Sequence, residues 1–128
     1  MPCGLPPGHR RWFIPDCYLP ADDPGKGDLL SHESCCILNA GNAEARCILT
    51  LYFEDREPVR DIAVTVGAER CWHVRFDRLR EIAGESIPHD VPYGLGVESD
   101  VNVVVQHSRL DTRAGGLAYM TVMGYAED

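Results

Sequence analysis

Positive charge is scarce in this 128-residue chain: 12 Lys and Arg stand against 20 Asp and Glu, a formal charge of −8. Such an acidic balance repels phosphate backbones, so nucleic-acid partners are disfavoured. No helix-turn-helix pattern occurs either, which ranks transcriptional regulation by DNA binding last among the readings below. Long apolar runs are missing too. The longest, such as Cys35-Cys36-Ile37-Leu38, have strand length, far short of the roughly 20 residues that span a bilayer. Met1 to Arg11 holds no continuous apolar stretch of the signal-peptide kind, so the expected location is cytoplasmic.

Six cysteines are present (Cys3, Cys17, Cys35, Cys36, Cys47, Cys71), but no Cys-x-x-Cys pair is. That spacing argues against a zinc site, and without a secretory signal a disulfide framework has no compartment. Most of the cysteines are expected to be reduced, buried, small apolar side chains. Helix is scarce as well. Only Asp77 to Ala83 reads as a turn or two, with Asp77 as N-cap and Leu79, Ile82 and Ala83 on one side. The missing crossover helix of a dozen residues excludes a parallel α/β sheet. There is no internal repeat.

What the chain has is alternation. Nine prolines and twelve glycines cut it into short segments rich in Val, Ile, Leu, Thr and aromatics. In Ala45 to Phe53 the odd positions are apolar; Ile62, Val64 and Val66 alternate with Asp61, Ala63 and Thr65; Trp72, Val74 and Phe76 alternate with Cys71, His73 and Arg75. Further strands are expected at Arg11 to Ile14, Glu33 to Ala40, Tyr93 to Glu98, Val101 to Arg109 and Leu117 to Met123, with turns at Asn39-Ala40-Gly41-Asn42 and Glu98-Ser99-Asp100. The fold class is therefore all-β: an antiparallel, jelly-roll-like β-sandwich of about eight strands with minimal helix. Residues 1–128 form a single domain, with the first ten or so residues expected to be disordered. Ala21 to Asp28 reads as a mobile polar loop. Leu117 to Met123, apolar on both faces, reads as a central strand or a subunit contact.

The strand from Val101 carries the chemistry signal. Val101, Val103 and Val105 make an apolar face that continues as His107 and Arg109. Buried and unpaired, such groups cost roughly 1 to 3 kcal/mol each, so this strand end needs internal partners or a ligand. One alternative is an internal network of His107, Arg109 and Asp111, with Arg109 or Arg113 bridging to Glu33 or Asp90. His73 and Arg75 read first as a solvated face. A metal site from His32, His89 and His107 has no supporting spacing, and a Ser31, His89, Asp111 hydrolytic set has no nucleophile elbow behind it. The expectation is therefore no catalytic residue, no metal and no cofactor.

Trp12-Phe13-Ile14, Tyr18-Leu19-Pro20, Ser31-His32-Glu33-Ser34, Cys36 to Gly41, His73 to Phe76, Ile87-Pro88-His89-Asp90 and Val104 to Arg113 resemble, in order and spacing, the sensory rhodopsin transducer family. The resemblance implies a small cytoplasmic β-sandwich that associates as a homotetramer and binds a small molecule, a sugar or sugar-like ligand. It implies a ligand-binding set at His32, Glu33, Asn39, Arg75, His89, Gln106, His107, Arg109 and Asp111, with Trp12 or Trp72 available to face a sugar ring. The alternative it implies is an adaptor docking on a membrane receptor of the rhodopsin type, whose basic cytoplasmic loops would meet an acidic surface. The chain departs from the family pattern at Pro15 and Cys17 and in the charged stretch Asp77 to Glu85.

Overall fold

The computed structural model describes residues 4–22, 29–113 and 116–128. Strands β1 (His9–Cys17), β2 (His32–Asn39), β3 (Ala45–Phe53), β4 (Val59–Val66) and β5 (Arg70–Arg75) are followed by a 3-10 turn (Phe76–Arg78) and a short helix α1 (Leu79–Ala83). Then come β6 (Tyr93–Asp111), β7 (Ala118–Met123) and β8 (Tyr125–Glu127). All pairings between these strands are antiparallel. The all-β expectation holds. No helix among the described residues is long and apolar enough to cross a membrane.

The eighth strand is not where alternation alone puts it. Tyr93 to Glu98 and Val101 to Arg109 are one strand of 19 residues, and the polar Glu98-Ser99-Asp100 is not a turn. Asp100 accepts the Arg46 backbone N–H at 2.8 Å and Ser99 Oγ accepts that of Val101 at 3.3 Å, so these side chains support the extended chain instead of reversing it. The first half of β6 pairs with β3 and β1, the second half with β2 and β7. One layer is therefore β4-β3-β6-β1-β8 and the other β5-β2-β6-β7, with β6 common to both. Odd positions stay inward along it: Tyr93, Leu95, Val97, Val103, Val105 and His107 are all buried.

β1 starts at His9, two residues before the expected strand start at Arg11, while residues 1–3 lie outside the described residues. Gly8 makes this start feasible. It has φ of +108°, and a Cβ there would sit 2.1 Å from the Val103 carbonyl oxygen, so only glycine fits. The core between the layers joins Trp12, Ile14, Leu49, Leu51, Leu95 and Val97 with Cys35, Ile37, Val74, Phe76 and Val105. Cys17, Cys35, Cys36 and Cys47 are free and buried and Cys71 is free and exposed; Cys3 lies outside the described residues. The expected mobile loop, for its residues 23–28, lies outside them as well.

Two local expectations are corrected. Asp77 does not cap a helix: it sits in the first turn, with both carboxylate oxygens on Arg75 at 2.8 Å, and α1 ends on Gly84 in the left-handed region. β7 is not central. Among the described residues it pairs only with β6, and Tyr119, Val122 and Met123 are exposed, as is the adjoining Leu117.

Candidate functional site

The end of the sandwich where β1, β2 and the far half of β6 meet carries a polar network in two tiers. In the inner tier, the register of β2 on β6 sets Cys35 opposite His107 and Glu33 opposite Arg109. Glu33 and His107 are both fully buried, and His107 Nε2 lies 2.8 Å from Glu33 Oε2. The same carboxylate accepts the backbone N–H of Tyr18 at 2.8 Å and the hydroxyl of Tyr93 at 2.5 Å. Both oxygens of this buried carboxyl group thus have polar partners, as a polar group removed from water requires. Burial, and next the nearby Glu33, push the Tyr93 hydroxyl well above its ordinary range, so it remains a donor. The buried Cys17 thiol is pushed up in the same way, by burial first and Glu33 second, and stays protonated with the Ile14 carbonyl at 3.6 Å. The Phe76 ring packs on the His107 ring, centroids 5.5 Å apart.

Two buried polar atoms of this tier have no hydrogen-bond partner: His107 Nδ1 and Arg109 Nη1. Arg109 reaches the thioether of Met120 at 3.6 Å with Nη2 and lies 3.6 Å from the carboxylate of the exposed Asp16, instead of bridging to Glu33.

Tyr18 connects the inner tier to an outer one. Its hydroxyl donates to Asp90 at 3.0 Å and its ring lies under the Arg113 guanidinium, 5.7 Å from centroid to Cζ. Arg113 binds Asp90 at 2.8 Å and both oxygens of Asp111 at 3.1 Å. Asp90, held at φ of +59°, also accepts the Ala21 N–H at 3.1 Å. The bridge from Arg113 to Asp90 is thus present as the network reading expects. The Ala21 N–H first and the Tyr18 hydroxyl second hold Asp90 below the ordinary carboxylate range, and the Arg113 hydrogen bonds do the same for Asp111.

Carboxylates lowered in the folded state contribute stability that is present above their unfolded pKa of about 3.9 and lost as pH falls through the folded value. Arg113→Ala is therefore expected to flatten the acid limb of the stability profile. Urea midpoints measured from pH 5 down to pH 2 should fall less steeply in the variant, and equal slopes would remove Arg113 as the cause.

The expected ligand set is only partly assembled. Glu33, His107 and Arg109 meet in the inner tier, and Asp111 joins the outer one. His89 stands beside Asp90, with Nδ1 3.3 Å from the Pro20 carbonyl oxygen. Arg75 is held by Asp77, and Asp77, not Arg75, lines a cleft of about 230 Å³ together with Leu19, Phe76, Leu79, Arg80, Ser86, Ile87 and His89. His32 is partly exposed and turns to the Leu30 carbonyl. Gln106 pairs with Cys36, on the face of β6 opposite His107. Asn39 lies at the other end of β2, its amide nitrogen on the Ala43, Val66 and Gly67 carbonyls and its oxygen on the Gly41 N–H. That work is structural. Trp12 is buried, with Nε1 on the Val103 carbonyl at 2.9 Å, so its face is closed to a sugar ring. Neither His32, His89 and His107 nor Ser31, His89 and Asp111 come together as a set: Ser31 Oγ pairs with Thr112 and His107 with Glu33.

Tyr93, Cys17 and the backbone of Tyr18 belong to the inner tier and were not singled out for it by sequence. Their convergence depends on the register of three strands, and no local pattern encodes that.

Two antiparallel layers sharing one strand, with a polar network at one end whose inner pair is fully buried, define a small β-sandwich module. The family model described as Anabaena sensory rhodopsin transducer matches residues 7–126, and the chain belongs to that family. Among solved structures, "Crystal Structure of Thermotoga maritima 1070" is similar at 41% identity and a TM-score of 0.82, over 94% of this chain and 96% of that one. The "Anabaena sensory rhodopsin transducer" structure is similar at 41% identity and a TM-score of 0.70, over 86% of this chain and 96% of that one. Among curated proteins, none matches this chain.

Proposed function

We propose that this protein is a non-catalytic cytoplasmic signalling module that takes up a small polar ligand of the carbohydrate class in the cleft beside α1. The observation that carries the reading is the make-up of that cleft. Its volume is about 230 Å³, with Leu19, Phe76, Leu79 and Ile87 as an apolar floor and Asp77, Arg80, Ser86 and His89 as polar groups. An apolar floor suits the C–H face of a sugar ring, and carboxylate, guanidinium, hydroxyl and imidazole suit its hydroxyls. Phe76 links this floor to His107, so an occupant that moves the Phe76 ring would be felt by the Glu33 network.

The test is a thermal-shift screen against monosaccharides and sugar acids. Ligand at about 100 times its dissociation constant adds roughly 2.7 kcal/mol of stability. The expected result is a saturable rise that disappears in Arg80→Ala and His89→Ala while the circular dichroism of both variants stays native. Silence across the panel, or a rise that survives both substitutions, would overturn the reading.

A second reading is docking on a membrane receptor of the rhodopsin type, with self-association into a tetramer. It is favoured by the exposed apolar side chains of Tyr119, Val122 and Met123 on an edge strand. Light scattering of the wild type and of Tyr119→Lys reports on it: a monomeric wild type removes the tetramer.

A further inference from the structure

The inner tier holds three different donor types on three strands: the Cys17 thiol from β1, the Glu33 carboxylate from β2 and the His107 imidazole from β6. Their ligand atoms all lie within 4.8 Å of one another, and each side chain is buried. We propose that Cys17, Glu33 and His107 form a binding site for a zinc-class divalent ion. A sulfur, nitrogen and oxygen set matches zinc and its neighbours in the transition series and mismatches magnesium and calcium, which want oxygen alone.

Tetrahedral zinc with bond lengths near 2.0 to 2.3 Å sets its donors roughly 3.3 to 3.7 Å apart. The Glu33 to His107 pair at 2.8 Å opens slightly to admit an ion, and rotation of the Cys17 side chain closes the widest pair. Glu33 already has the outer contacts that fix a metal-binding carboxylate: the Tyr18 N–H and the Tyr93 hydroxyl. Charge balances as well. Loss of the Cys17 proton to solvent gives a thiolate, and thiolate plus carboxylate cancel the charge of the ion. Three protein donors leave a fourth position for water.

All three donors are sealed, so the ion enters while the chain folds, and the test follows that route. Untagged full-length protein is unfolded with chelator and reductant, then refolded with one equivalent of Zn²⁺ or Co²⁺. The expected result is one ion per chain, a higher melting temperature than the metal-free protein, and a sulfur-to-cobalt charge-transfer band. Cys17→Ser should lose the band and weaken binding more than tenfold, whereas Cys71→Ser, at the exposed cysteine, should keep both. Tyr93→Phe should weaken zinc binding by about 10- to 100-fold.

A wild type refolded with cobalt that shows no such band overturns the proposal whatever the variants do. A band that survives Cys17→Ser or vanishes in Cys71→Ser overturns it too. Cys17→Ala replaces Cys17→Ser if the serine variant does not refold. None of the three donors lines the cleft beside α1, so a failed sugar screen leaves the site standing.

Discussion

In metal-free protein, Glu33→Ala should lower the free energy of unfolding by about 3 to 5 kcal/mol. The carboxylate is fully buried and accepts hydrogen bonds from the Tyr18 backbone, the Tyr93 hydroxyl and His107. Its removal strands all three partners at once, and each buried orphan costs roughly 1 to 3 kcal/mol. Against a total of about 5 to 15 kcal/mol for a domain, this is a large share. Urea titration at constant m-value measures it. The double replacement Glu33→Leu with His107→Leu separates burial cost from net stabilisation. It removes the Glu33 and His107 pair and restores apolar volume but still leaves the Tyr18 N–H and the Tyr93 hydroxyl without their acceptor, so it should be less harmful than Glu33→Ala alone without being neutral. A single variant within 1 kcal/mol of wild type would mean that water reaches this strand end.

Phe76→Ala should cost about 3 to 5 kcal/mol, the usual penalty for deleting a buried aromatic ring. Phe76 is 1% exposed, sits at the start of the 3-10 turn, and separates the cleft beside α1 from the His107 ring. Deleting it removes core contacts and also gives solvent a route to the Glu33 and His107 pair. Phe76→Leu, which retains most of the volume, should lose far less. Chemical denaturation of the two variants side by side checks the order, and equal losses would show that the ring itself is not what fills the space.

The period of two was the legible part of this fold. Ala45 to Phe53 and Ile62 to Val66 run inward and outward as their apolar positions say, because each is half-buried on one face. Glu98-Ser99-Asp100 misled for a physical reason. Its composition is that of a turn, but Glu98 and Ser99 pair with Ile48 and Cys47 of β3, and Asp100 and Ser99 accept the backbone N–H groups of Arg46 and Val101. The inward phase of His107 was readable from Val101, Val103 and Val105. Its partner was not, because Glu33 lies 74 residues away and only the register of β2 on β6 brings them together. Asn39 shows the opposite case: a polar residue carried by family resemblance whose amide is spent on a backbone turn.

Neither layer of the sandwich owns β6. A strand that supplies the middle of both sheets gives the molecule no seam along which one half can melt while the other persists. Its backbone amides are expected to be the last to exchange with solvent, at the rate of global opening. The same arrangement delays folding, since Trp12 must find Val103, 91 residues away, before either layer is complete. A signal passed through this domain must therefore travel by side-chain repacking or by its edges, not by separation of the two layers.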